Sequence, residues 1–253
     1  MKHARVAYSG AVHEARPGPQ DGSVRLADGR VVGEHSVVWL PPVEAGTVIA
    51  LGLNYADHAR ELSFKAQDEP LVFLKGAGSL IGHRGQTRRP RGVAFMHYEC
   101  ELAVVIGAPA RKVPRADARA HVAGYAVAND YAVRDHLENW YRPNLRVKSR
   151  DGATVLGPWL VDADDVPWPP QLDLRTLVNG RQVQAGNTRD LVFDVAFLIE
   201  YLSGFMTLSP GDVILTGTPE GIVNVDEGDE VVCEIDGIGR LANTIVGDET
   251  FGR

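Results

Sequence analysis

One segment constrains the fold of this chain more than any other. Residues 95–106, FMHYECELAVVI, place two glutamates inside an otherwise apolar run. The end of the run, residues 104–106, continues without polar alternation, which is typical of a strand buried on both faces. Glu99 and Glu101 are two residues apart, so their side chains share one face of a strand, about 6–7 Å apart along it. Buried carboxylates repel each other and lose hydration, so this pattern requires a positive partner.

A hard divalent cation such as Mg²⁺ or Mn²⁺ meets that requirement, because it prefers oxygen ligands. Asp130 is a candidate third ligand, since it ends the apolar strand GYAVAN and its side chain projects at a strand terminus. Each feature has a plainer explanation. An isolated pair of glutamates is more often the wetted face of an edge strand, and an aspartate before a helix is more often a cap. Only the combination indicates a metal site.

The remaining pattern predicts a mostly β fold with some α structure. The first forty or so residues contain short strands, with a hairpin signal at Asp28-Gly29. Pro41-Pro42 suggests a boundary. We therefore predict a small N-terminal β subdomain over residues 1–45 and a catalytic domain over residues 46–253.

In the larger part, strands alternate irregularly with helical stretches. Asn54 is a candidate cap for a helix over residues 54–62, and Asn179-Gly180 marks a second hairpin. Strands are predicted at 47–53, 71–75, 124–130 and 212–217 and on both sides of 236–237, and helices near 115–120, 131–141 and 192–205. This mixture is too irregular for a doubly wound fold and too rich in strands for a bundle, so it favours a mixed β-roll or distorted β-barrel.

Composition excludes several classes of protein. The formal net charge is −7 and no stretch concentrates Lys and Arg, so a nucleic-acid partner is not expected. The two cysteines, Cys100 and Cys233, form no metal-binding or disulfide pattern. Strand alternation directs Cys100 away from the glutamates, as an inert core residue. Neither a signal peptide nor a membrane span is present in the sequence, so we expect a cytoplasmic protein with no membrane partner.

HYECEL, followed by NDYAVRD from residue 129, resembles the fumarylacetoacetate hydrolase family. Further matches follow in the family's order: GLNYADHAREL, LVFLK, YRPNLRVKSRDG, VNGRQVQ and ILTGTPEGI. The resemblance covers roughly residues 47–246 and implies the β-roll of that family. LENWYRPNLRVKSRDG and FLIEYLSGFMTLSPGD are similar to a subgroup of isomerase/decarboxylases in the homoprotocatechuate branch of aromatic catabolism.

The resemblance implies Mg²⁺ (or Mn²⁺) held by Glu99, Glu101 and Asp130. It also implies that His58 and Glu61 form a catalytic pair on a mobile lid and that Lys148 acts near the metal. Residues matching positions that face substrate are Lys75, Arg134 and Thr218. The implied partners are a small 2-oxo dicarboxylic acid as substrate and a second copy of the chain, as a homodimer.

Some of these residues carry an argument of their own. His58 and Glu61 lie on one face of a helix, where the carboxylate can orient the imidazole for proton transfer; without the family context, such a pair is more often surface decoration. Gly217, in TGTPEG, allows the backbone to approach an anion, although an ordinary turn explains it equally well. Tyr141 is a candidate contact for the distal carboxylate of the substrate, or a packing residue.

Three functions are compatible with the sequence. The first is decarboxylation and isomerisation of a dicarboxylic 2-oxo acid, in which a metal stabilises negative charge on the keto oxygen. The second is hydrolysis of an acylpyruvate carbon–carbon bond by water that His58 activates. The third is a metal-stabilised binding module without turnover.

Overall fold

The structure is a computed structural model that describes residues 1–62, 68–137 and 144–251 of the 253-residue chain. Strands dominate it. In chain order they are β1 (Lys2–Tyr8), β2 (Ala11–Pro17), β3 (Ser23–Leu26), β4 (Val31–Gly33), β5 (Val38–Leu40), β6 (Val48–Gly52), β7 (Leu71–Lys75), β8 (Leu80–Ile81), β9 (Gln86–Arg89), β10 (Met96–His97), β11 (Cys100–Ile106), β12 (Val122–Asp130), β13 (Ala132–Val133), β14 (Thr154–Asp162), β15 (Asp173–Val178), β16 (Arg181–Asn187), β17 (Val213–Leu215), β18 (Glu230–Ile235) and β19 (Gly239–Gly247).

The helices are few and short. They are α1 (Ala56–Glu61), α2 (Leu145–Lys148) and α3 (Val195–Phe205). Short 3₁₀ turns lie at Glu34–Ser36, Ala77–Ser79, Arg115–His121, Arg134–His136, Ala163–Asp165, Thr188–Asp190 and Asp248–Phe251. α3 begins at an Asp194 cap, whose carboxylate accepts a hydrogen bond from the Phe197 amide at 2.8 Å. Within the described residues, no helix is long and apolar enough to cross a membrane.

The strands form two large sheets and one small one. The larger sheet has the order β4-β3-β2-β1-β14-β12-β11-β17-β6-β7, with β5 paired to β1 and β8 paired to β14. The second sheet has the order β16-β15-β18-β19-β9, and β10 pairs with β13 alone. Across the described ranges the two large sheets stay open, because the end strands of each are not paired to one another. The fold is therefore mostly β with a few short helices, which confirms the predicted fold class, although the sheets do not close into a barrel.

Strand β11 lies in the interior of the larger sheet, between β12 and β17, and all seven of its residues are buried. Its even-numbered residues from Cys100 to Ile106 pack in the main core with β15, β18 and β19. Ala103 and Val105 pack on the other face in a separate cluster. Each Leu, Val or Ile side chain buried in this way contributes roughly 1.5–3 kcal/mol. Because alternation puts Glu101 on the face opposite Cys100, the strand carries its carboxylate away from the main core.

The N-terminal strands have a small core of their own. It consists of Ala4, Val6, Ala15, Val24, Leu26, Val37 and Trp39. β1 also pairs with β14, through Lys2 opposite Val161 and His3 opposite Leu160. The larger sheet thus continues into these strands, and a division of the chain at residue 45 stays a prediction.

Three local expectations were wrong. The segment from residue 95 to 106 is interrupted, because Tyr98 and Glu99 lie between β10 and β11. The expected helix over residues 131–141 begins instead with β13 and a 3₁₀ turn, and residues 138–143 lie outside the described part. Asn54 does not cap α1: the cap position is Tyr55, and no side chain bonds there. The hairpins at Asp28-Gly29 and Asn179-Gly180 are confirmed.

Candidate metal centre and active site

Three carboxylates meet where β11 and β12 lie side by side. The backbone fixes two of them: the Asp130 amide donates to the Glu99 carbonyl at 2.9 Å, and the Glu99 amide donates to Asn129 Oδ1 at 3.1 Å. Glu99, Glu101 and Asp130 each offer an oxygen, and these oxygens all lie within 4.8 Å of one another. All three residues are buried. Such a set of hard oxygen donors can hold a metal ion.

Only one of the two carboxylate oxygens of Glu101 has a hydrogen-bond partner among the described residues. Its Oε2 accepts a 2.6 Å hydrogen bond from the Gly217 amide. Its Oε1 is buried and has no hydrogen-bond partner among the described residues. Burial raises the pKa of Glu101 well above its ordinary value, and the neighbouring carboxylates Asp130 and Glu99 raise it further. A cation at the cluster would supply the partner that this oxygen lacks.

Two buried lysines contact the same carboxylates. Lys75 Nζ donates to Asp130 Oδ1 and to the Lys148 carbonyl. Lys148 Nζ donates to Glu99 Oε2 and, at 3.1 Å, to Asp130 Oδ2. The three carboxylates and two ammonium groups have formal charges that sum to −1. The cluster therefore keeps an excess of negative charge when all five groups are ionised.

The lysines differ in how burial and charge balance. Burial lowers the pKa of Lys75, and the nearby positive charge of Lys148 also lowers it. Burial alone would lower the pKa of Lys148, but the carboxylates of Asp130 and Glu99 raise it above its ordinary value. Lys148 is thus held as a cation beside the two acids. Burial alone would raise the pKa of Glu99, yet the positive charges of Lys148 and Arg134 hold it below its usual range.

Arg134 reaches the cluster from the 3₁₀ turn after β13. Its Nε donates to His97 Nε2 at 2.7 Å, and its NH2 group lies 3.5 Å from Glu99 Oε1. His97 is fully buried, and its Nδ1 donates to the Tyr98 carbonyl at 3.0 Å. Burial lowers the pKa of His97 to about 3, so the ring is neutral and its Nε2 accepts from the arginine. The imidazole thereby fixes the direction of the guanidinium, whose side chain is 21% exposed.

His58 and Glu61 lie together on α1. His58 Nδ1 and Glu61 Oε2 are 2.9 Å apart. The other oxygen of Glu61 accepts from the amides of Gly221 at 3.0 Å and Ile222 at 3.3 Å. The pair is therefore tied to the segment that follows β17, and it is the same segment that supplies the Gly217 amide to Glu101.

Local backbone geometry explains why that segment approaches so closely. Gly217 has φ +91°, and a Cβ there would lie 3.0 Å from Asn54 Cβ. Thr218 is buried, and its hydroxyl accepts a hydrogen bond from Gln184 Nε2 at 3.0 Å. Glycine is required at 217 because a side chain there would be strained and would push against Asn54.

The structure thus brings together all but one of the site residues expected from the sequence: His58, Glu61, Lys75, Glu99, Glu101, Asp130, Arg134, Lys148, Gly217 and Thr218. Tyr141 lies outside the described residues, as do residues 63–67 of the polar segment SFKAQDEP, which follows the His58–Glu61 pair and was expected to belong to the mobile lid. Lys75 has no exposed side-chain surface, and its described partners are protein groups. The roles of these residues stay predictions.

Three contributors to the site were missed by sequence reasoning. His97 directs Arg134, and Gln184 contacts the segment after β17. Asn54 Nδ2 donates to the carbonyls of Phe193 and Thr216, at 3.0 and 2.9 Å. All three are buried polar residues inside the motifs HYECEL, VNGRQVQ and GLNYADHAREL, and a buried polar residue must find a partner. That was the signal available in the sequence.

Comparison with known proteins agrees with this geometry. Residues 47–246 match the family model described as fumarylacetoacetate (FAA) hydrolase C-terminal. The chain belongs to the fumarylacetoacetate hydrolase family. It is 56% identical, over 225 residues, to a 4-hydroxyphenylacetate degradation bifunctional isomerase/decarboxylase of Salmonella dublin, which covers 89% of this chain and 52% of that protein. The chain spans about half the length of this relative and of two similar isomerase/decarboxylases from Escherichia coli.

Solved structures are similar over nearly the whole chain. The structure of 5-carboxymethyl-2-hydroxymuconate delta-isomerase from Mycobacterium smegmatis matches with a TM-score of 0.86 and 37% identity, over 98% of this chain and 99% of that one. Fumarylpyruvate hydrolase from Pseudomonas aeruginosa, in complex with Mn²⁺ and pyruvate, matches with a TM-score of 0.76 and 33% identity, over 83% of this chain and 92% of that one. Proteins with this fold therefore include both an isomerase and a hydrolase.

Proposed function

We propose that this chain is a divalent-metal-dependent decarboxylase and isomerase of a dicarboxylic 2-oxo (enol) acid in 4-hydroxyphenylacetate and homoprotocatechuate catabolism. The observation that carries the proposal is the buried cluster of Glu99, Glu101 and Asp130, with the unpartnered Oε1 of Glu101. The name of the Salmonella dublin relative supports the reaction, and that of the Mycobacterium smegmatis isomerase supports the substrate class.

The donor set fits a hard divalent cation. Its members are carboxylate oxygens, with no thiolate or imidazole among the three, which favours Mg²⁺ or Mn²⁺. The Mn²⁺ in the related hydrolase supports a divalent ion here. When bound, the cation would polarise the keto group of the 2-oxo acid and stabilise the negative charge that develops on its oxygen. Glu99, Glu101 and Asp130 would hold it.

The protein's own cations would orient the substrate. Lys148 is kept charged beside Glu99 and Asp130, so it can attract the carboxylate of the 2-oxo acid to the cluster. Arg134 can form a bidentate contact with a carboxylate, because its guanidinium is partly exposed and is directed by His97. Thr218 accepts from Gln184, so its hydroxyl proton remains for a substrate oxygen. Two anionic ends of a dicarboxylic acid are thus recognised by different groups.

Proton transfer is assigned to His58. Its Nδ1 faces the Glu61 carboxylate, so the proton of a neutral ring is held there and Nε2 is the basic nitrogen. Isomerisation requires a proton to leave one carbon and another to be added elsewhere, and a positioned imidazole accelerates such steps by about 10²–10⁴-fold. Glu61 acts through His58 and does not itself contact substrate.

Assays with two substrate types test the reaction. Purified protein with Mg²⁺ is given 5-carboxymethyl-2-oxo-hex-3-ene-1,7-dioate, and CO₂ release and the ultraviolet change of isomerisation are followed. The expected result is turnover that a chelator abolishes and Mg²⁺ or Mn²⁺ restores. Full activity in a rigorously chelated sample would overturn the metal role.

A second candidate, hydrolysis of an acylpyruvate, is favoured by two observations. The His58–Glu61 pair could activate water as well as move a proton, and the Pseudomonas aeruginosa relative is named a fumarylpyruvate hydrolase. Fumarylpyruvate is therefore the second assay substrate. Hydrolysis of fumarylpyruvate without turnover of the first substrate would replace the decarboxylase assignment by this one.

A binding module without turnover is distinguished by variants. His58→Ala and Lys148→Ala are each expected to remove activity, whereas a pure binder has no activity to lose. We further propose a homodimer in solution, which sedimentation equilibrium would test. A monomer at micromolar concentration with full activity would contradict it.

A further inference from the structure

A buried side-chain amide, that of Gln184, contacts the part of the segment after β17 that lies between the Gly217–Glu101 contact and the His58–Glu61 pair. Gln184 lies on β16, in the second sheet, and is 2% exposed. Its Oε1 accepts from the Thr176 hydroxyl at 2.7 Å. Its Nε2 donates to Thr218 Oγ1 at 3.0 Å and to the Pro219 carbonyl at 2.8 Å. An amide nitrogen carries two protons, so both donors and the oxygen of Gln184 are used.

The segment from Thr218 to Ile222 rests directly on β16. A Cβ at Gly186 would lie 2.7 Å from Pro219 Cγ, and a Cβ at Gly221 would lie 2.9 Å from the Val183 carbonyl oxygen. Neither position has room for a side chain without movement of the backbone. The second sheet is therefore the surface on which this segment takes its shape.

The far end of the segment holds Glu61. The amides of Gly221 and Ile222 both donate to Glu61 Oε1, and the opposite oxygen faces His58 Nδ1. Glu61 is 26% exposed, and its position on the short helix α1 depends on these contacts. A shift of the Gly221 and Ile222 amides would therefore turn the carboxylate away from the imidazole.

The other end of the segment, at Thr216 and Gly217, is held by groups other than Gln184. The amide and hydroxyl of Thr216 donate to the Leu102 carbonyl at 3.1 and 3.0 Å, and Asn54 donates to the Thr216 carbonyl. Gly217, which donates to Glu101, follows directly on that anchor. Loss of Gln184 should consequently loosen the far half of the segment and leave the contact with the metal carboxylates in place.

We propose that Gln184 is a positioning residue that acts on the reaction through the segment Thr218–Ile222 and the Glu61–His58 pair. The proposal rests on the proposed function, because it takes His58 as the group that moves the proton. Tyr98 donates to the Gly221 carbonyl at 2.6 Å and supports the same segment. Removal of the Gln184 side chain should therefore weaken the support of this segment without abolishing it.

The first test is Gln184→Met, which keeps the length of the side chain and removes its polar atoms. With Mg²⁺ and the 2-oxo acid turned over in the assays above, kcat is expected to fall about tenfold, as for the loss of one hydrogen bond of about 1.4 kcal/mol. Affinity for Mn²⁺, measured by calorimetric titration, should stay within about threefold of the parent. Gln182→Met, at an exposed position of the same strand, is the matched control and should change neither quantity.

A double-mutant cycle separates this role from a general structural one. In the Glu61→Ala background, Gln184→Met is expected to lower kcat by less than about threefold, because the residue through which it acts is gone. An equal loss in both backgrounds, or a loss of Mn²⁺ affinity equal to the loss of kcat, would overturn the proposal. If Glu61→Ala itself keeps the full kcat, the role of the pair in the proposed function fails, and this inference fails with it.

A second variant serves as the control for a loss of folding. Gln184→Met leaves the Thr176 hydroxyl buried without its acceptor, which destabilises the fold. Thr176→Val with Gln184→Met removes that unpaired group, so the interior is apolar on both sides and the fold should be kept. The double variant should show the same tenfold loss of kcat; recovery of the parent kcat would show that the contact with Pro219 is unnecessary and would refute the proposal.

Discussion

The Gly217 amide donates a 2.6 Å hydrogen bond to Glu101 Oε2, while Oε1 of the same carboxylate is buried without a hydrogen-bond partner in the described part of the chain. The amide fixes one oxygen and thereby directs the other into the cluster with Glu99 and Asp130. Burying a polar oxygen in this state costs about 1–3 kcal/mol. Among the three proposed ligands, Glu101 is therefore the one whose removal should affect metal binding most selectively.

Glu101→Gln should abolish tight metal binding while the fold is kept. The amide has the same shape, but it lacks the charge that a hard cation needs. We expect kcat/KM to fall more than about 100-fold. The thermal stabilisation by Mn²⁺, about 2.7 kcal/mol at 100 times Kd, should disappear. Calorimetric titration and thermal melts with and without Mn²⁺ would measure both.

The control for this variant is Glu230→Gln, on the exposed end of β18. It removes one negative charge far from the cluster in sequence and in sheet position. Its Mn²⁺ affinity should equal that of the parent protein. Unaltered Mn²⁺ affinity in Glu101→Gln would show that the carboxylate is not a ligand.

Lys148→Met should separate metal binding from turnover. The lysine bonds to Glu99 and Asp130, so it competes with a cation for the same oxygens. Without it, Mn²⁺ should bind as tightly or more tightly, because the cluster becomes more negative. Activity should fall about 10²-fold, since the positive contact proposed with the substrate is lost.

The matched control is Arg25→Met, at an exposed position on β3 that also loses one positive charge. It should alter neither Mn²⁺ affinity nor kcat. A weaker affinity for Mn²⁺ in Lys148→Met would indicate that the lysine supports the cluster structurally instead of competing with the cation.

The strands were largely predictable because their signals are local. β6, β7 and β12 are apolar runs bounded by polar or glycine residues, and both predicted hairpins have an Asx-Gly turn. The segment after Asp130 was predicted as a helix, yet the chain stays extended there. Val133 pairs with Met96, and the Tyr131 amide donates to the Ala153 carbonyl. These contacts join distant parts of the chain, and local periodicity does not contain them.

The same distinction holds at the site. The spacing of Glu99 and Glu101 is local, so a shared face follows from strand geometry. The contact between Gly217 and Glu101 spans 116 residues, and that between Gln184 and Pro219 joins a strand to a turn. Sequence reasoning named Gly217 from the turn-rich segment TGTPEG but not its contact with Glu101, and it gave Gln184 no role. The tertiary fold determines which backbone amide or carbonyl such a residue meets.

Gly217→Ala tests whether backbone geometry at the cluster matters for metal binding. Its φ of +91° disfavours any residue with a Cβ by about 1–2 kcal/mol, and the new methyl group would lie 3.0 Å from Asn54 Cβ. We expect the amide to shift from Glu101 and the Mn²⁺ affinity to fall about tenfold. Gly180→Ala is the control, because its φ is +78° and a Cβ there meets open space.

The two glycine variants share the cost of a positive φ, so both should lose stability in urea denaturation, and Gly217→Ala should lose more because its methyl group also contacts Asn54. Only Gly217→Ala should lose metal affinity. Equal Mn²⁺ affinity in the two variants would mean that the Gly217 amide does not set the position of the Glu101 carboxylate.

A histidine outside the site should govern part of the stability at low pH. Burial, together with the nearby positive groups Arg84 and Arg240, lowers the pKa of His83 from 6.5 to about 4. Its Nδ1 accepts from the Ala242 amide at 3.0 Å, a bond that protonation would break. Between pH 6.5 and about 4, the unfolded chain binds a proton at His83 and the folded protein does not.

The stability supplied by the neutral ring is therefore complete above pH 6.5 and is lost as the pH falls towards 4. The slope from this group is at most about 1.4 kcal/mol per pH unit. His83→Asn keeps an oxygen acceptor near the Ala242 amide but does not titrate, so its free energy of unfolding should fall less than that of the parent. Urea denaturation at pH 8, 6.5, 5.5 and 4.5, with a chelator present in all samples, measures the difference. The pH 8 value is the baseline for each protein, because His83 is neutral there in both folded and unfolded states. Parallel pH profiles for the two proteins would show that His83 is not the group responsible.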